Sequence, residues 1–134
     1  LVHSEARANQ SLKETYHLAD PRLKAVVLMA PVGVLFNHPD SLKKVMIPIK
    51  IYRSERDEVL KYPYHAKLIR KMMPIKPEFN VIHNAGHFSY FSPIPKQVNN
   101  KLDVISKDPP NFNRHAFLVQ LNKEIVEFFN KTMT

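Results

Sequence analysis

The chain has 134 residues, 44% of them hydrophobic, a size and composition that suit one domain spanning 1–134 with a real core and exclude a disordered tail. With no cysteine, disulfides, a thiolate nucleophile and a cysteine-bound zinc are excluded, while the compartment stays open, with a soluble, cytoplasmic location favoured. The net charge of +8 raises nucleic acid as a partner, but the basic residues fall singly or in pairs such as Lys43-Lys44 and Arg70-Lys71, broken by acids, so a solvated basic surface and no nucleic-acid partner are expected.

In chain order, residues Arg7 to Leu18 place Leu12 and Tyr16 at helical spacing, and Asp20-Pro21 stops that helix. Lys24 to Ala30 is a short, nearly continuous apolar run, which predicts a strand buried on both faces. A loop follows from Pro31 to Pro39, and Asp40 or Ser41 can cap a short helix through Val45. Ile47 to Arg53 predicts the second strand, with Pro48 near its start where a missing donor is tolerated. Pro63 begins a helix through about Met73, burying Ala66, Ile69, Met72 and Met73 and exposing Lys67, Arg70 and Lys71. Glu78 to His83 is a third strand. An irregular, proline-rich stretch from Ser92 to Asn113 leads to a last helix in which Phe117, Leu121, Ile125, Phe128 and Phe129 form one apolar stripe.

Strands alternating with helices imply right-handed crossovers and an α/β fold built on a parallel sheet flanked by helices. Three parallel strands leave two edges and two faces in need of cover, so the chain is expected to be a slice of a larger sheet. The Leu1 segment, a second copy of the chain or further protein should then cover the edge of the Lys24 strand. The only two glycines, Gly33 and Gly86, are each expected where the backbone needs special geometry. No apolar run approaches the ~20 residues of a membrane helix, so no membrane partner is expected, and the opening Leu-Val-His-Ser is no signal peptide.

In open parallel sheets, reactive groups gather at the carboxyl ends of strands. After the second strand comes Ser54-Glu55-Arg56-Asp57-Glu58-Val59, and after the third comes Asn84-Ala85-Gly86-His87-Phe88. An acid and a His at neighbouring strand ends can hydrogen-bond, which fixes the imidazole tautomer and stabilises the imidazolium formed when the His takes a proton. His83 and His87 are four apart, but Gly86 breaks any helix that would align them and no carboxylate sits at ligand spacing, so neither metal nor other cofactor is expected. Phe88, Tyr90 and Phe91 either wall a substrate pocket or support the His loop. Ser54, Ser89 and Ser92 read as loop serines, and Met72-Met73 as core.

The stretch from Asp20 through Ala30-Pro31, then Ile47-Pro48-Ile49 leading to Arg56-Asp57-Glu58-Val59, then Ala85-Gly86-His87-Phe88, resembles the late part of the α/β-hydrolase fold. In particular it resembles bacterial proteins described as predicted dienelactone hydrolases, and the tail from Asp108-Pro109-Pro110 to the Phe128-Phe129 helix fits the same family. The resemblance implies a triad in the chain order Ser, Asp, His. Asp57 then becomes the acid and His87 the general base, 30 positions apart with room for one helix and one strand, while Glu55 and Glu58 rank as rival acids. The family's Gly-x-Ser-x-Gly elbow corresponds to Val2-His3-Ser4-Glu5-Ala6, which makes Ser4 the nucleophile and the Glu5 N–H an oxyanion donor. Val2 and Ala6 stand where the family has glycines, and their Cβ atoms crowd that turn. The other reading of Ser4 is a chain terminus or a helix cap.

Three functions follow. The first is a serine hydrolase of small ester or lactone substrates, incomplete in this chain alone because one oxyanion-hole donor comes from an early loop of the fold. The second is a catalytically degenerate hydrolase-fold module that binds a ligand or partner. The third, suggested by charge alone, is a nucleic-acid-binding domain, marked by affinity that falls steeply with salt.

Overall fold

The computed structural model describes residues 20–93 and 103–133, the side chains of 103 and 104 apart. The expected Arg7–Leu18 helix, Ser4, Glu5 and the Leu1 segment lie outside the described residues. The described residues form a three-stranded parallel sheet of β1 (Val26–Met29), β2 (Ile49–Ser54) and β3 (Glu78–Ile82), in the order β1-β2-β3. Helix α1 (Ala66–Met72) connects β2 to β3, a single turn α2 (Asp103–Ser106) follows, and α3 (Arg114–Thr132) closes the chain. The fold is α/β. Among the described residues, no helix is long and apolar enough to cross a membrane.

Register places Val26 beside Ile49 and Met29 beside Tyr52, and on the other side Ile51 beside Phe79 and Arg53 beside Val81. Since side chains alternate across a strand, Ile49, Ile51 and Arg53 share one face of β2, and Lys50, Tyr52 and Ser54 share the other. The first face meets α1 in a core of Leu42, Ile49, Ile51, Ala66, Ile69 and Met73. The second meets α3, where the Tyr52 hydroxyl donates to Glu124 Oε2 at 2.8 Å and Lys50 Nζ lies 6.0 Å from the Phe128 ring centroid. Burial, aided by the neighbouring Glu124 carboxylate, pushes the Tyr52 phenol well above its ordinary range.

The strand buried on both faces is β2, not β1 as its composition predicts. Val26, Val27 and Leu28 are half-buried and Met29 is exposed, because β1 forms an edge of the sheet among the described residues. In β2, Ile51, Tyr52 and Ser54 are fully buried. The helix expected from Asp40 or Ser41 through Val45 is absent. Ser41, Lys43 and Val45 each donate to the carbonyl three residues back, giving separate turns with Leu42 as their buried anchor. Helix α1 begins at Ala66, not Pro63, because the preceding residues are spent in a turn. At its end His65 sits with φ −119° and ψ −99°, and its Nδ1 accepts the Gly33 N–H at 3.3 Å. Ala66, Ile69 and Met73 are buried as predicted, Met72 is only half-buried, and Lys67, Arg70 and Lys71 lie outside.

In α3 the Asn113 side chain accepts the Ala116 N–H at 3.0 Å, a cap that supplies one of the helix's unpaired first-turn donors. Leu121 and Phe128 are buried, and Phe117, Ile125 and Phe129 are half-buried along the expected stripe. Full burial of a side chain like Leu121 or Phe128 contributes about 1.5–3 kcal/mol.

Neither glycine occupies a left-handed conformation. What each supplies is room. A Cβ on Gly33 would overlap the His65 carbonyl, and one on Gly86 would lie 3.1 Å from Glu58 Oε2 and 3.3 Å from Pro109. Among the described residues the positive φ angles belong to Ala30, Asn84 and Asn111. Asn tolerates this region well, whereas Ala30, at the carboxyl end of β1, holds a strained angle of 43°.

Candidate active site

The two strand-end loops are laced together before any reactive group enters. Beyond the last ladder pair, Glu55 N–H donates to Ile82 O at 3.0 Å and Arg56 N–H to Ala85 O at 2.9 Å. Glu55 Oε2 accepts the Asn84 N–H at 2.9 Å, and its Oε1 lies 3.3 Å from His83 Nδ1. The Asn84 N–H, and then His83, hold the Glu55 carboxyl below its ordinary range. Glu58 Oε2 accepts the His87 backbone N–H at 3.2 Å. Both rival acids are thus occupied in fixing the loop after β3, and neither meets the His87 ring.

Asp57 does. Its Oδ2 lies 3.0 Å from His87 Nδ1, while Oδ1 accepts the N–H groups of Val59 at 3.0 Å and Leu60 at 2.6 Å. The Asp57 side chain is 6% exposed and that of His87 20%. Three donors therefore aim the carboxylate, and its rotamer is locked by its own loop. A carboxylate only accepts, so in the neutral ring Nδ1 carries the proton and Nε2 presents the lone pair. Among the described residues Nε2 has no hydrogen-bond partner. Phe88 packs edge-on against the imidazole at 4.8 Å between centroids and 86° between planes, and itself meets Phe91 at 5.6 Å. These contacts support the imidazole ring.

Beneath His87 runs a polar network that motif reading does not anticipate. Ser54 and Ser89, expected as loop serines, are both buried, and Ser92 is exposed. Ser54 Oγ donates to Gly86 O at 2.8 Å and lies 3.3 Å from the Tyr90 hydroxyl. The Gly86 N–H donates to Ser89 Oγ at 3.0 Å, and Ser89 Oγ donates to Asp108 Oδ1 at 2.8 Å. Arg114 grips Asp108 with Nε to Oδ2 at 2.8 Å and Nη2 to Oδ1 at 2.9 Å. The chain of bonds thus runs from the first turn of α3 to the residue before His87. No spacing rule links these positions; only the Asp108-Pro109-Pro110 signature marks the region.

Burial pushes the Tyr90 phenol up to about 12, with a smaller push from Asp57 opposing the hydrogen bond to Ser54. A raised phenol favours the neutral folded state, so its stabilising effect is intact below the ordinary phenol value near 10 and is lost as pH climbs through about 12. Two units correspond to roughly 2–3 kcal/mol. Tyr90→Phe is therefore expected to lose less stability than the parent between pH 9 and 11.5 in urea titrations. Parallel declines would show that Tyr90 ionisation is not coupled to folding.

Among the described residues, no group of three or more His, Asp or Glu is placed to hold a metal ion. The arrangement offers an oriented, half-buried imidazole at the carboxyl end of a parallel sheet. In comparisons with known proteins, no family model, curated protein or solved structure matches the chain.

Proposed function

We propose that this chain carries the acid and the base of a serine hydrolase acting on small ester or lactone substrates, in the manner of an α/β-hydrolase. The observation that supports the reading is the Asp57–His87 pair: a carboxylate aimed by two backbone N–H groups, facing Nδ1 at 3.0 Å and leaving Nε2 to take a proton. A merely structural pair is the competing explanation. Yet the two loops are already tied by Glu55, Arg56 and Glu58, so the Asp57–His87 contact is not needed to hold them together.

In the proposed reaction Ser4 Oγ attacks the acyl carbon as His87 Nε2 takes its proton. The tetrahedral oxyanion forms against the Glu5 N–H, and His87 then returns the proton to the leaving oxygen. Water repeats the cycle on the acyl-enzyme. Val2 and Ala6 at the elbow favour a second reading, a ligand-binding module that keeps the fold without the chemistry. Intact-mass analysis after exposure to a fluorophosphonate separates the two. The hydrolase reading expects one adduct, mapped to Ser4 and lost in His87→Ala. No adduct on folded protein would overturn it in favour of the binding module.

A further inference from the structure

A second cluster of chemistry lies on the α1 face of the sheet. Arg53 of β2 and Lys67 and Arg70 of α1 surround a cleft of about 370 Å³ completed by Tyr62, Phe79 and Val81. Three cations share this space, and none of them enters an ion pair among the described residues. They are held by rings instead: Arg53 Cζ and Lys67 Nζ lie 4.8 and 4.9 Å from the Tyr62 centroid, and Arg70 Cζ lies 4.8 Å from that of Phe79. Stacking on a ring face orients a guanidinium while leaving its in-plane N–H donors open to an acceptor. Arg53 Nε is buried with no hydrogen-bond partner, the one such side-chain atom among the described residues.

Clustered positive charge is unfavourable without an anion. Lys67 and Arg70 are three apart on one helix, where like charges repel. A buried donor without an acceptor is costly to keep. Described carboxylates that balance charge elsewhere, such as Glu78 with Lys50 and Lys131, are committed to other partners. We infer that this cleft is a binding site for a small ligand carrying a phosphate group, whose tetrahedral oxygens match the two guanidinium forks and the Lys67 ammonium. The inference is independent of the hydrolase reading, since it uses neither Asp57 nor His87.

Inorganic phosphate and phenyl phosphate are suitable probes, titrated against the ¹⁵N-labelled chain at ionic strength held constant with sodium chloride. Saturable shifts of the arginine Nε–H signals are expected. Lys67→Gln and Arg70→Gln, both on the exposed side of α1, should each weaken binding about tenfold, and Lys43→Gln should leave it within about twofold. Tighter binding of phenyl phosphate would identify an organic phosphate as the ligand class, and equal binding would identify the free anion. Shifts that fail to saturate, or equal weakening by Lys43→Gln, would overturn the site. Preferential binding of duplex DNA with equal sensitivity to Lys43→Gln and Arg70→Gln would do the same, assigning the charge to a nucleic-acid surface.

Discussion

Asp108→Ala is expected to destabilise the chain by about 3–5 kcal/mol, a large share of the 5–15 kcal/mol that holds a typical domain folded. The substitution leaves Arg114, with a side chain only 7% exposed, without the carboxylate that it grips through two bonds. Among the described residues only the Ile105 carbonyl, at 3.3 Å from Nη1 and Nη2, still receives that guanidinium. Ser89 Oγ also loses its acceptor, and the Gly86 N–H rests on Ser89 in turn. Amide exchange at 84–90 should therefore quicken more than exchange in β2. A double variant, Asp108→Leu with Arg114→Met, should be less destabilised than Asp108→Ala, because the desolvation penalty of the buried charge disappears with its partner. Urea denaturation of the three proteins decides the matter. A single variant within about 1 kcal/mol of the parent would show that the pair is solvated and does not anchor the His87 loop. For contrast, the exposed Lys123–Glu127 pair at 4.0 Å belongs to a class worth at most about 0.5 kcal/mol.

The same network explains what a sequence can and cannot disclose here. The three strands and the two longer helices are legible because their signals are local: a Val-Val-Leu-Met run, a helix with apolar residues at every third or fourth place. Which strand is central is not local. β1 reads as the more buried because it is the more apolar, yet β2 takes the middle while carrying Lys50, Tyr52 and Ser54. Those polar groups are tolerated inside because Glu78, Glu124 and Gly86 meet them from 28, 72 and 32 residues away. Nothing near them in the chain announces such partners.

At the site, Asp57 and His87 are legible because strand-end position, spacing and a family resemblance converge on them. Glu58, Ser89, Asp108 and Arg114 are not, since each acts through a loop-to-loop pairing with no periodicity. Glycine misleads for a related reason. Rarity suggests a dihedral requirement, whereas Gly33 and Gly86 provide clearance for His65, Glu58 and Pro109. The left-handed positions go to Asn84, Asn111 and Ala30.

Asp57→Asn should preserve the fold and disable the base, lowering the fluorophosphonate reaction rate about 10³–10⁴-fold on the proposed mechanism. An Asn side chain keeps an oxygen for the Val59 and Leu60 N–H groups, the two bonds that shape the loop after β2. What remains toward the ring is then an NH₂ donor in place of a carboxylate oxygen. His87 must answer with an acceptor at Nδ1, which moves its proton to Nε2, the atom required to take a proton from the nucleophile. The defect is therefore one of tautomer, with geometry and stability nearly unchanged. Asp57→Ala differs, because it also strips two backbone donors of their acceptor and should cost about 1–3 kcal/mol of stability. ¹⁵N NMR of the imidazole reads the tautomer directly and needs no substrate. A proton found on Nδ1 in both the parent and Asp57→Asn would mean that Asp57 does not set the state of His87. A tautomer that switches without loss of fluorophosphonate reactivity would separate the pair from any catalytic role.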